Sequence, residues 1–162
     1  MFRLSWLAVF VLFIIVVQPC FADDYAKTVG TWGLVSFESE SQATGEREPV
    51  LGKNPTGYII FTPERRLMLV ITGEGRNAPK TDQDRAALLK SMIAYTGMYR
   101  IEGDKRITKV DVSWNPEWVG TELVRFFRFD GDRLQIISEW LPSVVRPERG
   151  NVRAILTWER AK

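Results

Sequence analysis

Short runs of β-type residues, separated by turn residues, dominate the chain beyond residue 25 and limit its fold more than any other feature. The runs alternate apolar and polar side chains or are rich in β-branched and aromatic residues, as strands are. In the run 106–113, alternation predicts that Thr108, Val110 and Val112 share the inner face. Joints such as 130–132 (Asp-Gly-Asp) have the composition of tight hairpins. The pattern predicts eight strands, over 31–38, 57–62, 66–72, 97–101, 106–113, 121–129, 133–139 and 152–160.

One segment departs from the β pattern. Residues 82–95 place apolar side chains, Leu89 and Ile93 among them, at spacings of three and four residues, which is helical periodicity. Thr81 or Asp82 can cap the start of such a helix. The spacing therefore predicts one short helix between the third and fourth strands.

Eight sequential antiparallel strands leave two unpaired edges unless the sheet closes on itself. Closure into an up-and-down barrel pairs every edge, and eight strands leave room for side chains or one small ligand. We therefore predict an all-β fold, an eight-stranded antiparallel up-and-down barrel with one short helix. A two-sheet sandwich is the alternative. No repeat or linker divides the chain, so a single folded domain is expected.

The first 22 residues have the composition of a secretory signal. Arg3 precedes an apolar run over 4–17, and a small-x-small sequence ends at Ala22. The run is shorter than the roughly 20 residues that a membrane-spanning helix needs. We predict a signal peptide over 1–22 and a mature domain over 23–162, located in the periplasm or secreted. An uncleaved anchor that holds the domain at a membrane is the alternative.

Two absences in the composition exclude whole classes of chemistry. The chain has no histidine, and its one cysteine, Cys20, lies in the signal segment. Zinc or copper sites built on His and Cys, His-ligated haem and His-dependent catalysis are therefore excluded. The net charge of +2 is spread along the chain without a basic stripe. We expect no cofactor, no metal and no nucleic acid partner, and the sequence does not decide the oligomeric state.

The first and last strands carry residues that can close one end of a barrel. Gly30 and Trp32 lie at the start of the first strand, and Arg160 lies at the end of the last. These strands meet if the sheet closes, so the Arg160 guanidinium could plug that end by lying on the Trp32 indole. The arrangement resembles that of the calycin barrels, to which the lipocalins belong.

Further motifs extend this resemblance, in order, over about residues 28–160. Together they resemble the bacterial and fungal lipocalin-like domain family, which implies a barrel with a small-molecule cavity and no one defined activity. The motifs are GTW at 30–32, LVSF at 34–37, NPTGY at 54–58, DRAAL at 84–88, WNPEWVGTE at 114–122 and LTWER at 156–160.

Residues 114–122 form the densest group of candidate ligand-binding residues. Trp114 and Trp118 flank an Asn-Pro turn and could stack a ring at the barrel mouth. The alternative is a rigid turn whose tryptophans only cover the barrel. Tyr58, Tyr99 and Ser138 are further candidates, as hydroxyl groups inside the lumen, and the alternatives for them are packing and a backbone hydrogen bond.

Arg125 is the candidate with the sharpest consequence. It shares one face of its strand with Leu123 and Phe127. If that face is internal, the guanidinium needs a carboxylate or an anionic ligand, because an unpaired buried charge is costly. The alternative is an arginine at the rim whose charged end reaches water.

The sequence favours a binding protein for a small hydrophobic or amphipathic molecule. A cofactor-free isomerase or cyclase, in which Tyr or Glu moves a proton, is the enzymatic alternative. A barrel filled by its own side chains, in an envelope or stress protein, is the third possibility. No two carboxylates are spaced for acid–base work, so no catalytic residue is predicted.

The exported protein should begin at Asp23 and contain no thiol, because cleavage after Ala22 removes Cys20. Intact-mass measurement of the protein from the compartment in which it accumulates checks this. A species that retains residues 1–22, or a lipid mass on Cys20, would contradict the prediction.

Overall fold

A closed antiparallel barrel is the centre of the computed structural model, which describes residues 21–143 and 146–162. Two helices accompany the strands, α1 (Phe21–Thr28) and α2 (Asp82–Lys90), with 3₁₀ turns at Pro116–Trp118 and Pro147–Arg149. The strands are β1 (Gly30–Ser41), β2 (Arg47–Pro49), β3 (Thr56–Phe61), β4 (Arg66–Thr72), β5 (Met92–Glu102), β6 (Lys105–Ser113), β7 (Glu122–Asp130), β8 (Arg133–Ser138), β9 (Leu141–Pro142) and β10 (Asn151–Arg160).

Pairing of the first strand with the last closes the sheet. The eight long strands follow the order β1-β3-β4-β5-β6-β7-β8-β10, and β1 also pairs antiparallel with β10, with Trp32 opposite Arg160 and Ser41 opposite Val152. The predicted eight-stranded antiparallel barrel is therefore confirmed, and the sandwich is not formed. The two short strands, β2 and β9, pair with β1 and β10 respectively.

The helix differs in detail from the sequence prediction. It lies after β4 because the short β2, which was not predicted, adds a strand to the count. It begins with a capping box at Thr81 and ends at Lys90, not at residue 95. Residues 92–95 extend β5, where they pair with β4 and so satisfy their backbone groups. No α2 residue is buried, so this helix is a surface connection.

The connections divide the barrel into two unlike ends. Three tight hairpins, at 62–65, 103–104 and 131–132, lie at one end, together with α1; we call this the closed end. Gly103 and Gly131 have φ of 62° and 57° there, which suits glycine in a tight turn. The long connections, 73–91 and 139–150 among them, lie at the other end, which we call the open end.

Arg160 and Trp32 fix the closed end. Trp32 is only 2% exposed, and its indole Nε1 donates to the Thr28 carbonyl at 2.8 Å. The Arg160 guanidinium carbon lies 4.1 Å from the ring centroid, and its nitrogens donate to the carbonyls of Val29 at 2.6 Å and Lys27 at 2.5 Å. A Cβ on Gly30 would collide with this guanidinium. One side chain thus joins the last strand to the chain entering the first.

Replacing Trp32 with Ala should lower the free energy of unfolding by about 3–5 kcal/mol, the usual range for truncating a buried aromatic side chain. Arg160→Ala should cost less. The double variant should depart from additivity by at least about 0.5 kcal/mol because the two side chains touch.

Denaturant unfolding of the four proteins of this cycle measures the coupling. Arg85→Ala, on the exposed helix α2, is the matched control and should be additive with Trp32→Ala. Additive losses for Trp32 and Arg160 would contradict the proposed contact.

Candidate functional site

A cavity of about 560 Å³ enters the barrel at its open end. Its walls are mostly apolar because the inward residues of several strands alternate with outward polar ones. Trp118 and Trp158 add aromatic surface to these walls. The apolar strand residues that line the cavity include Phe37, Leu69, Ile71, Ile93, Ile136 and Leu156.

Two arginines, on the neighbouring strands β6 and β7, line this cavity. On β6, Arg106 shares its inward face with Thr108 and Val110, and all three are buried. On β7, Arg125 lines the cavity and shares its face with the buried Phe127. Arg106 and Arg125 are directly opposite each other in the register of the two strands. The barrel therefore places two positive charges side by side on its inner surface.

Neither of these guanidinium groups has a carboxylate partner among the side chains that the structure describes. Arg106 is 2% exposed, and its buried Nε and Nη1 have no hydrogen-bond acceptor. Its guanidinium carbon lies 5.6 Å from the centroid of the Phe61 ring. Arg125 donates from Nη1 to the carbonyl of Val124 at 2.7 Å. Burial lowers the pKa of Arg125, and the neighbouring charge of Arg106 also acts to lower it.

Three further arginines surround the mouth of the cavity, and each has an acidic partner. Arg153 Nε lies 2.5 Å from a Glu40 carboxylate oxygen. Arg149 Nη1 lies 3.1 Å from the Glu48 carboxylate, which Arg146 also contacts. Each arginine at the mouth therefore contacts a carboxylate, with Arg146 and Arg149 sharing Glu48, whereas the two arginines deeper in the barrel form no ion pair with the described side chains.

Val50 and Leu51 line the cavity on one side of its mouth, and hydrogen bonds fix the segment that carries them. The Glu74 backbone N–H donates to the Leu51 carbonyl at 2.9 Å. The Glu74 carboxylate accepts from the Lys53 backbone N–H at 3.0 Å and from the Asn54 side-chain amide at 2.8 Å. Hydrogen bonds from Asn54 and Lys53 lower the pKa of Glu74. These hydrogen bonds hold residues 51–54 in place against Glu74 on this side of the mouth.

Of the predicted ligand-binding residues, Trp118, Arg125 and Ser138 lie together on the cavity wall. Trp118 packs edge-on against Tyr95, with ring centroids 5.8 Å apart. The Ser138 hydroxyl is occupied by the backbone, because it donates to the Glu139 carbonyl and accepts from the Ala154 N–H, both at 2.8 Å.

Three predicted residues do not line the cavity. Trp114 lies behind Trp118, with its ring edge-on at 6.2 Å. Tyr58 is 58% exposed on the outer surface because its neighbour Ile59 takes the inward position. Tyr99 is buried at the closed end against Phe61, at 5.2 Å between ring centroids, and burial raises its pKa.

Arg106 is the cavity residue that the sequence prediction missed. The predicted inward face of its strand comprised Thr108, Val110 and Val112 and was not extended backwards to Arg106. The same alternation, continued by one step, would have found it.

Neither metal binding nor a membrane-spanning helix finds support in the described chain. The described residues contain no group of three or more His, Cys, Asp or Glu side chains placed to hold a metal ion. No helix within residues 21–143 and 146–162 is long and apolar enough to cross a membrane.

Comparison with known families finds one match over the barrel. A family model described as a lipocalin-like domain matches residues 29–161, from just before β1 to just after β10. No curated protein matches the chain. The match agrees with the resemblance inferred from the sequence motifs.

Glu40→Gln should lower the free energy of unfolding at pH 7 by about 1 kcal/mol, the upper range for ion pairs near the surface. Burial acts to raise the pKa of Glu40, but hydrogen bonds from Arg153 and Arg47 outweigh it, so the pKa lies below its usual 4.5. The stabilisation is therefore complete above pH 4.5 and is lost as the pH falls through the lowered pKa.

Denaturant unfolding of Glu40→Gln and the parent protein at pH 7 and at pH 3 measures this difference. Glu46→Gln, in the exposed connection after β1, is the control and should leave the free energy of unfolding nearly unchanged at pH 7, because no described ion pair involves its side chain. A Glu40 effect of equal size at both pH values would contradict the ion-pair interpretation.

Proposed function

We propose that this chain, which belongs to the family of lipocalin-like domains, binds a small hydrophobic or amphipathic molecule inside its barrel. The observation that carries the proposal is the cavity of about 560 Å³, with apolar walls and its mouth at the open end. Sites for small molecules are typically concave, mostly apolar and roughly 300–1,000 Å³ in volume.

The distribution of aromatic side chains supports a binding protein over a barrel filled by its own residues. Trp32, Phe61, Tyr99 and Phe129 cluster at the closed end, where Arg160 covers Trp32. They lie at the opposite end from the mouth of the cavity. Tyr95, Trp114 and Trp118 form a second aromatic cluster at the open end, and the cavity of about 560 Å³ remains open beside it.

The cavity offers little support for an enzyme. Glu48 is the one carboxylate among its described lining residues, and it is engaged by Arg146 and Arg149. A carboxylate that is ion-paired in this way is a poor general base. Binding without chemistry is therefore the function that the geometry favours.

We also propose that the protein is exported, as its first 22 residues suggest. Residues 1–20 lie outside the described part of the chain, so this proposal depends on the sequence pattern. Cleavage after Ala22 would retain Tyr25, whose hydroxyl donates to the Pro63 carbonyl at 2.5 Å, and Thr28, which accepts from Trp32. These contacts of Tyr25 and Thr28 at the closed end would therefore survive cleavage.

Native mass spectrometry of protein purified from its own compartment tests the function directly, because a retained ligand adds its mass. In solution, a naphthalene-type fluorescent dye should bind saturably at micromolar concentrations, which corresponds to about −8 kcal/mol. Binding should quench tryptophan emission, since Trp118 and Trp158 line the cavity.

Trp118→Ala should weaken this quenching more than the control Trp140→Ala. Trp140 stacks against Arg153, at 4.4 Å, and does not line the cavity. Absence of saturable uptake by the folded, ligand-free protein would contradict the proposed function.

A further inference from the structure

We propose that Arg106 and Arg125 form an anion-binding site in the barrel, which takes the carboxylate of a single-chain amphiphile bound head-first. This inference rests on the proposed function, since it names the class of ligand that the cavity receives. The acid group would lie between the two guanidinium groups, and the chain would extend along the apolar walls towards the mouth.

The register of β6 and β7 places the two charged side chains next to each other on the inner surface of the barrel. Arg106 and Arg125 are directly opposite in the β6–β7 pair, and both line the cavity. Like charges in such positions repel each other. The described side chains form no ion pair with either charge, and the exposed Glu139 carboxylate attracts Arg125 only from beyond ion-pair distance.

The cost of this arrangement is the main argument for a ligand. A buried ion that lacks a partner loses its hydration, and the effective penalty in proteins is several kcal/mol. Arg106 has two buried nitrogens without acceptors. At the mouth, the same chain pairs Arg153 with Glu40 and Arg149 with Glu48. The missing partner deeper in the barrel is therefore a specific feature of that position.

Most of the unused hydrogen-bonding groups in this region are donors. Besides Arg106, the Trp158 indole N–H is a buried donor without a partner, and the buried hydroxyls of Thr108 and Tyr99, which can donate or accept, also have none. Thr108 shares the inward face of β6 with Arg106, and Trp158 lines the cavity. An excess of donors matches a ligand group that only accepts, as an ionised acid does.

A carboxylate suits these groups better than a larger anion. The guanidinium fork matches its two oxygens in a bidentate pair. Between these two arginines and the charged residues of the mouth, the cavity walls are mostly apolar, so they can bury one alkyl chain and offer few partners for additional head-group oxygens. An alkyl sulfate and an alkyl phosphate of equal chain length are therefore the comparison ligands.

The first test compares decanoic acid with decanol and methyl decanoate by isothermal titration calorimetry on the mature protein. The acid should bind roughly 10- to 100-fold more tightly than either neutral ligand, the effect expected of a charge-assisted hydrogen bond. Decyl sulfate and decyl phosphate should bind more weakly than the acid.

Variants assign this preference to the two arginines. Arg106→Met and Arg125→Met should each reduce the ratio of decanoic acid affinity to decanol affinity at least about tenfold. Arg153→Met is the matched control, since Arg153 also lines the cavity but is paired with Glu40. It should retain the preference.

Thermal unfolding gives a second readout, which separates a binding role from a structural one. Replacing an unpaired buried charge with an apolar side chain should raise the melting temperature of the ligand-free protein. Arg106→Met and Arg125→Met should therefore melt higher than the parent when empty and gain less from decanoic acid. Arg153→Met should not melt higher, because it breaks an ion pair.

The outcomes separate the two proposals. Equal affinity of the parent protein for decanoic acid and decanol, or an acid preference that survives in both variants, would overturn the anion site and leave the cavity function intact. Tighter binding of decyl phosphate or decyl sulfate than of the acid would overturn the carboxylate assignment. Absence of binding by every decyl ligand and by the dye would overturn the proposed function itself.

Discussion

The pairing of β1 with β10 is the constraint on which the rest of the structure depends. It removes both edges of the sheet, and it gives the barrel an inside. Arg160 reinforces this closure because it covers Trp32 and donates to two carbonyls of the chain that leads into β1. A cation held by fixed carbonyls and an aromatic face is a rigid plug. One end of the lumen is therefore closed by Arg160 and Trp32, and the cavity opens at the other end.

This asymmetry determines what a charge costs at each position. At the mouth, long connections bring Glu40 and Glu48 near the arginines, and water is close. Deeper in the barrel, no described carboxylate forms an ion pair with Arg106 or Arg125, and apolar and aromatic side chains surround them. Arg106 and Arg125 therefore lie where the dielectric constant is low and the interaction with any anion is strongest. In the proposed anion site, the same closure that stabilises the fold would make these two residues selective for an acid.

The sequence predicted the barrel well, because alternation and turn residues are local signals. The prediction was less reliable for side-chain orientation and strand ends, which depend on pairing with strands distant in the sequence. A register shift in the β5–β6 pair, between Thr96 and Gly97, accompanies the outward position of Val112, which is 63% exposed although it was assigned to the inner face. The same assignment left out Arg106. Tyr58 was chosen for its residue type, whereas its position in β3 directs it outwards. Residues 92–95 joined a strand because β4 was there to pair with them.

The energetic cost of the unpaired Arg106 and Arg125 must be offset elsewhere in the fold, and the packing at the closed end contributes to this. Folded domains have a small net stability, so several kcal/mol of uncompensated charge is a large fraction of it. Cys20 lies within the predicted signal, so the barrel domain has no disulfide to offset this cost. The stabilisation must come from burial and pairing, and the aromatic cluster around Trp32 supplies it next to the charged region. A ligand that neutralises Arg106 and Arg125 would then stabilise the protein twice, through its apolar chain and through the charges it pairs.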